Sequence, residues 1–288
     1  MCVELSSDTL KKGYLNSDFR IFHIKDHKAM EFESHYHEFY KIIILVSGKV
    51  TYLIEGLAYE LKPYDILFIN KNDIHKSQID GSEIYERYVL WMSGDFLNAQ
   101  SSCQWDLTHC FSLTSEKKAW LMRLNEEDLQ NIRHLLYHLE TAESSQEFGS
   151  TLLLKAVFVE LMVYLNRYCL VEKNMNALDS LRCDETISSL IEYINLNLVE
   201  DLSTENLAYK FYMSKYHLMH KFKEQTGYSL HKYILKKRLL KANLLLSEGC
   251  SVASACQQCG FGDYSNFIRA YKSMYGIPPK RHHGNQSR

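Results

Sequence analysis

The sequence predicts an α+β protein. An N-terminal antiparallel β-barrel carries packed helices, and an all-α C-terminal unit contains two helix-turn-helix repeats. Three observations lead there. Ser214–Gly227, SKYHLMHKFKEQTG, returns 49 positions later as Asp263–Gly276, DYSNFIRAYKSMYG. Residues 18–92 read as short Ile/Val/Tyr/Phe-rich runs broken by turns. Between them, residues 125–170 carry apolar residues at helical spacing.

In the repeat, Phe222-Lys223 becomes Tyr271-Lys272, Leu218 becomes Phe267, and Gly227 becomes Gly276. A fixed offset between two aromatic-Lys-x-x-x-Gly units marks one structural unit used twice. Each reads as the second helix of a helix-turn-helix, whose N-terminal half meets base edges in the major groove. The charge agrees. The chain of 288 residues has net charge −2, but residues 184–288 hold 14 basic against 9 acidic side chains, a local +5 that leaves −7 elsewhere. The C-terminal third is the polyanion-facing part.

No apolar run approaches the ~20 residues of a membrane span, and the N-terminus MCVELSSDTLKKGY lacks signal-peptide order. A cytoplasmic protein without membrane contact is expected, its eight cysteines reduced. Cys256-Gln257-Gln258-Cys259 spells C-x-x-C, yet no second pair accompanies it, so two small buried residues on a short helix are expected.

In the N-terminal part, FRIFHI, YKIIILV, KVTYLIE, DILFIN and EIYERYVLWM are the expected strands, with turns at Ser47-Gly48, Glu55-Gly56 and Lys62-Pro63-Tyr64-Asp65. His35-Tyr36-His37-Glu38-Phe39-Tyr40, Tyr59 to Leu67 and Asn72-Asp73-Ile74-His75 together resemble the cupin (jelly-roll) sensor domain of AraC-type transcription regulators. The resemblance spans about residues 19–91. Metal-dependent cupins place a Glu a few residues after H-x-H. Here Lys41 or Ile42 stands there, and Glu38 comes too early. Lys41 would repel a cation, so neither metal nor cofactor is expected; His35, His37 and His75 are read as lining a pocket for a small organic ligand. Resemblance to the sugar-sensing members adds Glu86 and Tyr88, facing the ligand. A one-residue slip of that strand would turn Arg87 and Trp91 inward instead.

After the strands, Asn125 caps a helix carrying Leu129, Ile132, Leu136 and Leu139. A second helix, 147–169, carries Leu153, Val157, Leu161, Tyr164 and Tyr168. The resemblance implies a homodimer interface in this region. Residues 172–184 lack periodicity and read as a linker, between a sensor unit at 1–171 and a DNA-binding unit at 185–284.

In that last unit, Ile187, Leu190, Ile191 and Ile194 mark a first helix, and Ser203 caps the next. Phe211-Tyr212-Met213 turns, and Ser214 caps a helix whose Lys215, Tyr216, Met219 and His220 are the candidate DNA contacts. A long helix, 230–247, spans about 27 Å and carries Lys232, Lys236, Lys237, Arg238 and Lys241 toward phosphates. In the second copy Asp263 caps, and Tyr264, Ser265, Ile268 and Arg269 are the candidates. Arg269 suits a bidentate contact to guanine. Residues 187–281 closely resemble the AraC-type double helix-turn-helix domain, through Leu207-Ala208, Phe222-Lys223, Gly227, Arg238, Gly260-Phe261, Phe267, Gly276 and Pro278. Ala255-Cys256 departs from the family's Ile-Ala.

The resemblance implies a ligand-responsive regulator and not an enzyme, more often an activator, with double-stranded DNA, a small-molecule effector and RNA polymerase as partners. A sugar is the first expectation for the effector and an apolar molecule such as a fatty acid the second. The rival readings are a metal-dependent cupin enzyme fused to a DNA-binding tail, and a regulator whose barrel only dimerises.

Overall fold

The computed structural model describes residues 15–27, 30–32, 34–117, 119–171, 174–175, 180–181 and 185–282. It divides into two compact units, Met1–Leu181 and Arg182–Arg288.

The first unit is a sandwich of two antiparallel five-stranded sheets. One runs β1 (Phe19–Asp26), β8 (Tyr85–Met92), β3 (Tyr40–Ser47), β6 (Ile66–Ile69), β9 (Leu121–Met122). The other runs β10 (Ser180–Leu181), β5 (Leu57–Glu60), β4 (Lys49–Ile54), β7 (His75–Asp80), β2 (Met30–Glu31). This is the antiparallel sandwich or barrel expected from the sequence. Among the described residues, side chains rather than a continuous ladder join the two sheets. Ile43, Leu45, Leu67 and Ile69 of the first sheet meet Val50, Tyr52, Ile54 and Tyr59 of the second.

The other face of the first sheet is covered by α1 (Gly94–Ala99), α2 (His109–Lys117), α3 (Glu126–Ser144) and α4 (Ser150–Cys169). Ile42, Ile44, Phe68 and Leu90 pack there on Phe111, Leu139, Phe158 and Leu161. This double covering explains the uninterrupted Ile42-Ile43-Ile44-Leu45, because a strand buried on both faces has no solvent side to alternate with. β7, HKSQID, escapes sequence reading because its few apolar residues show no clear alternation. Its place comes from backbone pairing to β4 and β2.

The helix expected after Asn125 begins at Glu126, and the Asn125 side chain accepts from the Asp128 amide at 2.9 Å. In α4 the expected Val157, Leu161 and Tyr168 are buried and Tyr164 is half-buried, whereas Leu153 is 56% exposed; Phe158, Met162 and Leu165 widen the buried stripe. Of residues 172–184, those described are 174–175 and 180–181. Met175 bridges to Met122 and β10 pairs with β5, both within the first unit. The rest of the expected linker lies outside the described residues.

The second unit is all helical: α5 (Glu185–Leu196), α6 (Thr204–Lys210), α7 (Lys215–Thr226), α8 (Leu230–Ser247), α9 (Val252–Gln258), α10 (Tyr264–Tyr275) and α11 (Pro279–His282). Ser203, Ser214, Ser229, Ser251 and Asp263 each cap a helix by accepting from an amide three residues on. Gly227 and Gly276 close the two recognition-type helices at φ 76° and 75°. Cys256 and Cys259 are buried in the second copy's core. Burial raises both thiols, Cys259 to about 11, so neither is a thiolate near neutrality.

The copies differ at the turn. Tyr212 (φ 54°) and Gly260 (φ 76°) take the same left-handed step, after which Met213 bonds Ala208 and Phe261 bonds Cys256. Their spacing is 48, and Gly262 is the residue that restores 49 by Asp263. Gly260 is required twice over, since a Cβ there would stand 2.3 Å from the Leu198 carbonyl oxygen. Gly260→Ala should therefore lower stability by about 2–4 kcal/mol. Tyr212, 97% exposed, should instead gain roughly 1 kcal/mol as Tyr212→Gly. Thermal melts of both variants of the full chain check this; a destabilised Tyr212→Gly would contradict it.

Candidate functional site

Two sites emerge, one inside the sandwich and one on the helical unit. In the sandwich, the backbone brings the histidines together. His35 and His75 exchange backbone hydrogen bonds of 3.0 Å. The rings of His35 and His37 then lie 4.3 and 4.9 Å from that of His75. His37 Nδ1 lies 2.7 Å from the Phe39 carbonyl oxygen, and His75 Nδ1 3.0 Å from that of Asp73. A carbonyl only accepts, so each Nδ1 carries the proton and each Nε2 is left as an acceptor. Both Nε2 atoms are buried without a hydrogen-bond partner among the described residues. Burial and the positive charge of Lys41 hold His37 well below the usual imidazole pKa. Burial, with His35 and Lys41, does the same for His75. Both rings are neutral.

Register supplies the opposite wall. Lys41 pairs with Trp91 across β3 and β8, so both point toward the second sheet, as do Arg87 and Val89. Trp91 Nε1 is likewise buried without a partner among the described residues. Its ring packs on Phe39 at 4.8 Å and Phe22 at 4.9 Å. Arg87 is neutralised by Asp26 at 2.6 Å, with its guanidinium over the Tyr85 ring at 4.1 Å. Burial, then Arg87, lowers the Lys41 ammonium to about 7. Among the described residues no three His, Cys, Asp or Glu side chains form a group able to hold a metal.

The expected orientation of Glu86 and Tyr88 is reversed. Both lie on the helix-covered face, because alternation along β8 puts Arg87 and Trp91 on the sandwich side. His23 bridges Glu86 at 2.7 Å and Glu140 of α3 at 2.5 Å, and stacks on Tyr88 at 4.3 Å. Glu86 also pairs with Lys25 at 2.9 Å. These two residues fasten β1 and α3 to the sheet. Lys41, Arg87 and Trp91 take their place on the face turned toward the second sheet. The available signal was a lone lysine opening an otherwise apolar run, read in register with Trp91.

On the helical unit, Leu218 and Phe222 are buried while Lys215, Tyr216, Met219 and His220 are exposed on the remaining faces of α7. Tyr216 and His220 stack one turn apart, at 6.2 Å. Lys215 is ion-paired to Glu205. On α10, Tyr264, Ser265 and Arg269 are exposed, and Arg269 donates to Asn266. Ile268 is half-buried against the second copy's core, so it offers less surface than its counterpart Met219. Sequence reading passed over Tyr209 and gave Tyr212 only a turn, yet both are exposed beside α7. Arg238 is not free for phosphate, as it donates to the Leu198 and Glu200 carbonyls at 2.9 and 2.8 Å. Lys236 bonds the Tyr228 hydroxyl at 2.8 Å.

Lys41 makes a sign-definite prediction. Its folded pKa lies below the unfolded one, so between about 7 and 10 the unfolded chain binds the extra proton and stability rises with pH. Below pH 7 the buried charge costs its full amount. Lys41→Met should thus stabilise the ligand-free chain by about 1–3 kcal/mol at pH 6. The gap should narrow as pH rises through 7 to 9. Melts across pH 6–9 check this, and a destabilising or pH-independent effect would contradict it.

Residues 21–162 match the AraC-like ligand binding domain family, and residues 207–283 a helix-turn-helix domain family. The chain is 27% identical over 258 residues to the HTH-type transcriptional activator RhaS of Enterobacter sp. (strain 638), covering 86% of each chain. It is 25% identical over 253 residues to RhaS of Salmonella schwarzengrund (strain CVM19633), again covering 86% of each. A solved structure of unsaturated fatty acid bound ToxT from Vibrio cholerae strain SCE256 aligns over 93% of this chain and 95% of its own, at 18% identity and TM-score 0.38. No helix among the described residues is long and apolar enough to cross a membrane. An AraC-like ligand-binding domain followed by a doubled helix-turn-helix is the arrangement of one family, and this chain belongs to it: the AraC-type transcription regulators.

Proposed function

We propose that the chain is a ligand-responsive, sequence-specific transcription activator acting in the cytoplasm. The observation that carries this is the doubled reading head, two separately capped helices, each with a buried Leu/Phe or Phe/Tyr seam and an exposed N-terminal face. In this reading, residues 1–171 sense, together with 174–175 and 180–181 that pair within the same unit, the rest of 172–184 links, and 185–284 bind double-stranded DNA. Tyr216, Met219 and His220 meet bases in one major groove; Tyr264, Ser265 and Arg269 meet them in the next, while Lys215 and Ile268 flank them. A small sugar-like effector enters between the sheets, against His35, His37 and His75. It acts by binding the DNA-competent arrangement more tightly than the other. Activation, and with it contact to RNA polymerase, is favoured by similarity to the RhaS transcriptional activators. The exposed Leu152 and Leu153 on α4 and Tyr137 on α3 favour a homodimer through these helices.

Selection from a random DNA pool with the full chain tests the reading. The expected product has two short conserved segments about one helical turn apart. Arg269→Ala should weaken it roughly 5- to 150-fold and relax one position of the outer segment. Binding that follows salt alone, with no enriched sequence, would overturn it.

A further inference from the structure

The space between the sheets specifies more than a generic effector, because the unmatched atoms buried there are of two kinds. His37 Nε2 and His75 Nε2 are buried acceptors, each fixed by a bonded Nδ1–H, and they require donors from whatever enters. Trp91 Nε1–H is a buried donor and requires an acceptor. Lys41, its ladder partner, adds a positive charge. Arg87 cannot be the group that balances it, being a second cation already bound to Asp26. Phe22, Phe39 and Trp91 supply an adjoining apolar wall.

Three ligand classes can be weighed against this set. A neutral sugar donates hydroxyls to the imidazoles and accepts from the indole, but it leaves Lys41 unneutralised. A fatty acid neutralises Lys41 and leaves two buried imidazole acceptors without donors. A compact anion that also carries hydroxyls satisfies every group. We propose that the cleft takes a small polyhydroxy carboxylate, of the sugar-acid class. The carboxylate meets Lys41 and the Trp91 N–H, and hydroxyls donate to His37 Nε2 and His75 Nε2. This rests on the reading of the first unit as the effector-binding one.

Thermal shift and calorimetric titration of the full chain test it. The probes are D-gluconate, D-glucuronate and D-galacturonate, against the neutral D-glucose and D-galactose, and against decanoate. At least one sugar acid should raise the melting temperature and bind at least tenfold tighter than the parent sugar. Lys41→Met, expected to be at least as stable as the parent chain, should remove that preference. Trp91→Phe should weaken the acid while keeping the aromatic wall. Tyr88→Phe, on the helix-covered face, should leave its affinity within about twofold. Neutral sugars binding as well as their acids, with Lys41→Met silent, would overturn the class while leaving the effector reading standing. Preferential binding of decanoate would do the same. No response to any of the three classes would overturn both.

Discussion

The first unit depends on β3 being buried on both faces. Ile42 and Ile44 must meet helices, and Ile43 and Leu45 must meet the second sheet. With a side-chain period of two, these demands leave Lys41 no choice of side. It shares the face of Ile43, so a cation is carried into the space between the sheets. The apolar packing of the strand therefore holds the charge in place, although that charge is unfavourable for folding by itself.

The same strand pairing sorts the neighbouring residues. Across β1, β8 and β3, the helix face receives His23, Lys25, Glu86 and Tyr88, which neutralise and stack on one another. The sandwich face receives Lys41, Arg87, Trp91 and, from outside the strands, the histidines. Opposite charges are paired on the first face and left partly unmatched on the second. Structural polar residues are hydrogen-bonded when buried; the cleft departs from that rule at three atoms, His37 Nε2, His75 Nε2 and Trp91 Nε1.

In the helical unit, order comes from local chemistry used repeatedly. A serine or aspartate caps the starts of α6 to α10, and glycine ends both recognition-type helices. What ties the copies together is Arg238 on α8, which clasps the carbonyls of Leu198 and Glu200, while Gly260 of the second turn presses on Leu198 and Val199. The long basic helix is thus partly a structural brace. Its arginine is committed inside the unit rather than offered to phosphate.

Much of this protein was determined by its sequence alone. Caps at Asn125, Ser203, Ser214 and Asp263, the helix of 230–247 and the doubled reading head follow from local patterns, because capping, periodicity and turn chemistry act over a few residues; the histidines were marked by resemblance to the cupin sensor domain. Tertiary structure decided which face of β8 looks inward, that α4 turns Leu153 outward, that the strands form two sheets, that β7 exists, and that Arg238 is internal. Each of these depends on what covers a surface or pairs with a backbone far along the chain. The cleft shows the division most clearly: the sequence named His35, His37 and His75, but only register across β3 and β8 could set Lys41 and Trp91 opposite them in place of Glu86 and Tyr88.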